Sequence, residues 1–319
     1  MLRKRTWVAI LIFCEALLPQ QPTPPAPGPD AAPKPEAAKP EASARPVYQF
    51  AGKPLALAFA CTDDDIMAFG LTCTDDEPCE VYLELAAVEP VGGKVFLTGN
   101  LHTRDVTMWS ILLGSEDGGK TWTEGYERLR STGLEQMQFI DFEMGWIGGQ
   151  QLLALPRDPF FLITDDGGKS WRRKPLYSET RVGAIEQFSF ESRTVGQLLV
   201  DRTQTGESGG RHEFYETNSG GDSWSLRQVS PNPIKLRRPR TPNPDWRIRA
   251  DARSKSFVIE RRSSGAWQTL SSFLVKAGEC KPAELKFAEP PPEPEPSKTE
   301  ALPPLPTGTR RPPTLKKKL

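Results

Sequence analysis

The sequence predicts an all-β fold, a small β-propeller of about five blades with four antiparallel strands each, and three observations carry that prediction. S-E-D-G-G-K-T-W at 115–122 returns as T-D-D-G-G-K-S-W at 164–171 and as T-N-S-G-G-D-S-W at 217–224. An apolar strand precedes each copy. Pro-rich segments bracket the repeats and leave one β-rich stretch between them. A loop that recurs at roughly 50 residues has the period of a propeller blade.

Aligned, the copies read Ser/Thr-x-Asp-x-Gly-x-Thr/Ser-Trp. Ser115, Thr164 or Thr217 stands first, and Asp117, Asp166 or Ser219 stands third. Such side chains accept hydrogen bonds from backbone N–H groups a few residues on and close a tight loop. Gly119, Gly168 or Gly221 supplies the positive φ that the loop demands. Trp122, Trp171 or Trp224 closes the motif by anchoring it on an apolar layer. The preceding strands are read at Trp109–Leu113, Phe160–Ile163 and the less apolar His212–Tyr215. In the second copy, Met137–Phe142 and Gly145–Gly149 add two strands around a turn at Glu143–Met144, which completes a blade.

The motif resembles the Asp-box, or bacterial neuraminidase repeat, which lies in the hairpin between the outer strands of propeller blades. The longer run F-I-D-F-E-M-G-W-I-G-G at 139–149, followed by I-T-D-D-G-G-K-S-W, is similar to the photosystem II stability and assembly factors and their bacterial relatives. Sortilin ectodomains and sialidases share the short motif alone. The resemblance covers residues 83–267; the third copy lacks the Asp, and a fourth, E-R-R-S-S-G-A-W at 260–267, is faint. It implies a non-enzymatic propeller that binds a protein of the cell envelope as an assembly or stability factor. Carbohydrate binding or hydrolysis is the alternative that Asp-box propellers imply.

The bulk numbers bound the rest. The 41 basic and 41 acidic residues cancel, so no global field points to nucleic acid or to an anionic membrane. Twenty of the 32 prolines fall in 19–46 and 290–313, segments of a composition that buries no core. The expected organisation is therefore a signal or anchor at 1–18, a linker at 19–46, a propeller at 47–287 and a Pro-rich basic tail at 288–319. Arg3, Lys4 and Arg5 precede the short apolar run Thr6–Leu18, the pattern of an export signal. Glu15 interrupts that run and no A-x-A site precedes Pro19, so a cleaved signal, lipid attachment at Cys14 and an uncleaved anchor all stand. Membrane association is expected only through this segment. Periplasmic, secreted and outer-face anchored locations all agree with it.

Four further cysteines, Cys61, Cys73, Cys79 and Cys280, are an even number in a chain read as exported, which argues for two disulfides. Of three pairings, Cys73–Cys79 closes the shortest loop and leaves Cys61–Cys280, which would tie the first blade to the last. A metal site would need a Cys or His spacing that these positions lack.

Candidate chemistry is sparse, and no cofactor is expected. A sialidase needs an arginine triad, a Tyr–Glu nucleophile pair and an acid. Neither Arg-Ile-Pro nor Arg-Leu-Pro occurs, and adjacent Tyr215 and Glu216 point to opposite faces of a strand. Gly206-Glu207-Ser208-Gly209-Gly210 matches G-x-S-x-G but is followed by no helical pattern, so it reads as a hairpin tip. His102 and His212 are the only histidines and leave imidazole chemistry nearly empty. The acidic triplets 63–65 and 75–77 offer oxygens for calcium but follow no EF-hand spacing. One basic run, I-K-L-R-R-P-R at 234–240, places Lys235, Arg237, Arg238 and Arg240 among prolines. It reads as an inter-blade linker or as a docking surface for an acidic partner or an anionic glycan.

Overall fold

Alternating apolar and polar residues, broken by Gly-rich turns, build the described residues mainly from strands. The structure is a computed structural model that describes residues 45–205, 211–237 and 243–282. The expected signal, the basic tail and nearly all of the linker lie outside those residues. So do Arg238, Arg240 and the G-x-S-x-G segment.

In chain order, β1 (Val47–Gln49) and a short helix α1 (Asp63–Phe69) precede β2 (Cys79–Val91), β3 (Lys94–His102), β4 (Thr107–Ser115), β5 (Thr121–Glu124) and β6 (Leu129–Arg130). Next come β7 (Thr132–Phe139), β8 (Gly145–Leu152), β9 (Pro156–Thr164) and β10 (Arg172–Pro175). The strands β11 (Ala184–Phe190), β12 (Gly196–Asp201), β13 (His212–Thr217) and β14 (Ser225–Ser230) follow. The last are β15 (Trp246–Asp251), β16 (Ser256–Ser263), β17 (Ala266–Leu274) and β18 (Lys276–Cys280).

These strands form four antiparallel sheets among the described residues. Sheet 1 runs β1-β5-β4-β3-β2-β18, with β6 also on β4; sheet 2 runs β10-β9-β8-β7; sheet 3 runs β11-β12-β13-β14; sheet 4 runs β15-β16-β17. About five blades were expected, so the count differs. Residues 50–78 lack a strand-like alternation and form a strap, α1 and a disulfide loop, while β18 joins sheet 1.

Sheets stack face to face through shared apolar clusters. Leu83, Leu97 and Ile111 of sheet 1 pack with Ile259 and Phe273 of sheet 4. Phe96 and Leu112 of sheet 1 meet Met137, Ile147 and Phe160 of sheet 2. Phe161 and Ile163 of sheet 2 meet Ile185, Phe188 and Leu198 of sheet 3. Central strands such as β3 and β9 are therefore buried on both faces along most of their length. Innermost strands would expose an unpaired edge, and side chains of the neighbouring sheet satisfy it. Gln138 of β7 donates to the Phe190 carbonyl and accepts from the Phe190 N–H of β11, both at 2.9 Å.

The strap closes the seam between sheets 4 and 1. Val47–Gln49 pair with β5, Leu55 bridges Phe273 of β17, and Leu57 is buried between them. Both expected disulfides are present, Cys73–Cys79 and Cys61–Cys280. The second does not run from blade to blade as expected. Cys280 ends β18, which pairs with β2, so the bond ties the strap to the strand that carries the chain from sheet 4 into sheet 1.

Candidate functional site

The three Gly-Gly loops share one hydrogen-bonding scheme. Ser115 Oγ donates to Asp117 Oδ1 at 2.8 Å and accepts from the Gly119 N–H at 2.8 Å. Asp117 Oδ1 also accepts from the N–H groups of Lys120 and Thr121. Thr164 and Asp166 repeat the arrangement with Gly168 and Ser170. Thr217 and Ser219 repeat it with Gly221 and Ser223, a hydroxyl replacing the carboxylate. Partial burial pushes the Asp117 carboxyl up, but the Thr121 N–H and the Ser115 hydroxyl outweigh it and hold the group at about 2. Asp166 is likewise held at about 2, by Ser170 and Thr164 against the same burial.

Each loop clasps the sheet that precedes its own. Trp122 is fully buried, donates to Ser271 Oγ of sheet 4 at 3.2 Å and meets the Phe273 ring edge-on. Trp171 meets Phe96 of sheet 1 edge-on. Trp224 stacks on Phe161 of sheet 2, with centroids 5.5 Å apart. At Gly168 a Cβ would stand 2.4 Å from the Phe96 ring, so the second glycine permits close approach as well as positive φ. Trp146 adds a clasp that the repeat motif did not indicate, donating from Nε1 to the Gly220 carbonyl at 2.8 Å.

The fourth copy departs from this scheme. Ser263 pairs with Ala266 across a two-residue hairpin, with Ser264 and Gly265 at positive φ, so no Gly-Gly loop forms. Among the described residues, Trp267 meets no aromatic ring of another sheet. The Arg247 guanidinium lies 4.0 Å over its ring and Arg262 lies 4.8 Å over it. On the same face Arg247 Nε bonds Glu260 at 2.6 Å and Arg249 Nε bonds it at 3.4 Å. The buried Glu260 carboxylate thus pairs with two guanidinium groups, Asp251 lies beside Arg249, and with Arg262 over Trp267 the face keeps a net positive charge.

That face is turned away from sheet 1, because Ile248, Phe257 and Ile259 occupy the other. The face of sheet 3 turned away from sheet 2 carries Leu199 and Phe214, covered by Leu236 and Ile234. Residues 234–237 alternate, apolar inward and basic outward, leaving Lys235 and Arg237 exposed. Among the described residues, the boundary between sheets 3 and 4 is the one that no shared apolar cluster seals.

One strand of each sheet, β2, β7, β11 and β15, walls a cavity of about 570 Å³. Three of them carry a bulge at the same height, at Ala86, Glu135 and Glu186. Bulges re-aim side chains, and here they line the cavity with Glu135 and Glu186 opposite Trp246. Enclosure raises the Glu135 carboxyl above its ordinary value, and repulsion from Glu84 adds to this against a hydrogen bond from Gln150.

The remaining candidates resolve into structural roles. Glu216 pairs with Arg227, whereas Tyr215 donates to Glu213 at 2.6 Å. Glu213 also takes Arg202 at 3.0 Å and Arg181 at 3.3 Å, and is 2 % exposed. Burial pushes its carboxyl up, but the Tyr215 and Arg202 hydrogen bonds leave it lowered. This sealed cluster holds residues 177–181 against sheet 3; spacing i, i+2 on a strand was the signal for it. Asp65 caps α1 at Thr62 and pairs with Arg130 at 2.8 Å. His212 pairs with Glu186 at 3.1 Å, and the element after the G-x-S-x-G segment is the strand β13. Among the described residues no cluster of His, Cys, Asp or Glu could hold a metal.

No protein-family model and no curated protein matches the sequence. Solved structures similar to this chain include YCF48 bound to a D1 peptide, at 17 % identity and a TM-score of 0.33, covering 62 % of this chain and 58 % of that one. An ulvan lyase of polysaccharide lyase family PL25 is similar at 7 % identity and a TM-score of 0.33, covering 62 % and 51 %. The same enzyme bound to -[GlcA(1-4)Rha3S]- gives 8 % identity and a TM-score of 0.33, covering 64 % and 54 %. This chain spans little more than half the length of each.

Proposed function

We propose that this chain is a non-enzymatic, exported β-propeller of the Asp-box type that binds a protein partner in the cell envelope. The observation that carries the reading is the arginine–tryptophan face of sheet 4. Arg247 and Arg262 lie over Trp267, and Arg249 shares Glu260 with Arg247, where a fourth inter-sheet clasp would otherwise form. Planar guanidinium groups held over an indole suit carboxylates on an acidic protein surface. Lys235 and Arg237 extend the basic character, and Arg238 and Arg240 continue that run in sequence. A role as an assembly or stability factor comes from the resemblance of the repeats. Export is supported by two disulfides and by the basic and apolar N-terminal sequence; among the described residues no helix is long and apolar enough to cross a membrane.

A second reading has its own observation. Glu135, Glu186 and Trp246 line a cavity of about 570 Å³, an arrangement that suits a glycan. Affinity capture from the native envelope, set beside a glycan array, separates the two. The first reading expects one acidic protein, lost at high salt, and an empty array. A glycan hit without a protein would reverse the order.

A further inference from the structure

Two disulfides end side by side. Cys79 opens β2, Cys280 closes β18, and the two are directly paired in the ladder. Each is bonded elsewhere, Cys79 to Cys73 and Cys280 to Cys61. Directly opposed Cα atoms of antiparallel strands lie about 4.5–5.5 Å apart. A disulfide spans about 4.4–6.8 Å, so the backbone permits a Cys79–Cys280 bond. Access to the two differs. Cys280 is fully buried, whereas Cys79 lines a groove of about 800 Å³ together with Pro78, Tyr82, His102 and Arg104.

We propose that this groove is a site of thiol–disulfide exchange with an external dithiol, and that the exchange passes inward to release the N-terminal strap. One thiolate of the dithiol attacks Cys79 Sγ, a mixed disulfide forms, and Cys73 leaves as a thiolate. The second thiol closes on the first. The dithiol departs oxidised to its own disulfide, two electrons pass to the protein, and Cys79 is freed as a thiolate. Cys79 then attacks Cys280 Sγ, the Cys79–Cys280 bond forms, and Cys61 leaves as a thiolate that takes a proton from water. Buried Cys280 is closed to an external thiol and Cys61 is only partly exposed, so release through Cys79 outpaces direct attack at Cys61. Cys61 is the covalent anchor of the strap; without it, β1 and Leu55 are free to leave the outer edges of β5 and β17. The inference stands apart from what the arginine face binds.

The test uses the full chain and limiting dithiothreitol, quenched at intervals with N-ethylmaleimide and read by peptide mass spectrometry. Cys73 should be alkylated first; Cys61 should follow together with a Cys79–Cys280 peptide. Chymotrypsin should then cut after Phe50 roughly tenfold faster. Cys73→Ser leaves Cys79 a free thiol and should carry Cys79–Cys280 without any reductant. In Cys73→Ser/Cys79→Ser, the Cys61–Cys280 bond should survive the same dithiothreitol roughly tenfold longer. The proposal is overturned if no Cys79–Cys280 peptide appears at any time, or if the double variant loses its bond as fast as the wild type.

Discussion

Trp122 and Trp267 occupy comparable places at the end of a repeat, and the molecule uses them in opposite ways. Trp122 is fully buried, bonded to Ser271 and packed on Phe273, and it seals sheet 1 against sheet 4. Trp267 follows a hairpin too short to clasp anything and is covered by Arg247 and Arg262. A tight two-residue turn replaces the Gly-Gly loop, so the indole that would have joined two sheets is left to hold cations. Where the repeat is intact, the aromatic contributes stability. Where it decays, the same residue type forms part of an exposed charged face.

The sealed seam should be costly to open. Replacing Cys61 and Cys280 by Ser is expected to destabilise the fold by about 5 kcal/mol on the chain-entropy estimate, against about 2 for Cys73 and Cys79, whose loop is short. Urea denaturation without reductant gives both values, and equal losses would mean that the strap does not brace the seam. Next in size, Trp122→Ala and Trp171→Ala should each cost about 3–5 kcal/mol as buried aromatic truncations. Trp224 is only half-buried, so its truncation should cost about 1–2 kcal/mol. An equal cost at all three would erase the gradation along the chain. At the unsealed boundary, Leu236→Ala should cost about 2 kcal/mol, because Leu199 and Phe214 are its only core neighbours there among the described residues.

The repeats that support this contrast were legible because they are local. A Gly-Gly pair, an oxygen two to four residues earlier and a Trp three residues later are contiguous, and their geometry is set within the loop. The disulfides were legible because one pairing closed so short a loop. The strap was not. Val47–Gln49 and Leu55 carry little alternation of their own and take strand geometry only from β5 and β17, which lie far away in sequence. The arginine face was legible in principle, since W-R-I-R on one strand places Arg247 and Arg249 on the same side. The basic run at 234–240 carries the denser charge in sequence, yet Leu236 within it is buried. The cavity carboxylates escaped because bulges, which move Glu135 and Glu186 out of the simple alternation, leave no mark in composition.

The smallest expected effect separates the Asp loops from the Ser loop. Asp117 and Asp166 titrate at about 2 in the folded chain, below the ordinary 3.8. A lowered carboxyl contributes stability that is whole above about pH 5 and is lost as pH falls from about 4 through 2. Solvent screening limits this to about 1 kcal/mol per loop. Ser219 has no such dependence. Asp117→Ser/Asp166→Ser should therefore flatten the fall in stability over that window in an acid titration followed by tryptophan fluorescence. An unchanged slope would show that the carboxylates do not hold their loops.

The account rests most on the claim that the arginine–tryptophan face recognises an acidic protein. Arg262, Lys235 and Arg237 are exposed and form no buried ion pair among the described residues, so changing all three to Glu leaves the core intact. The deciding measurement is envelope capture with this triple variant beside the wild type, with thermal melting as the control. The account predicts at least a roughly tenfold loss of captured partner at an unchanged melting temperature. Capture of the same partner in the same yield by the triple variant would contradict it.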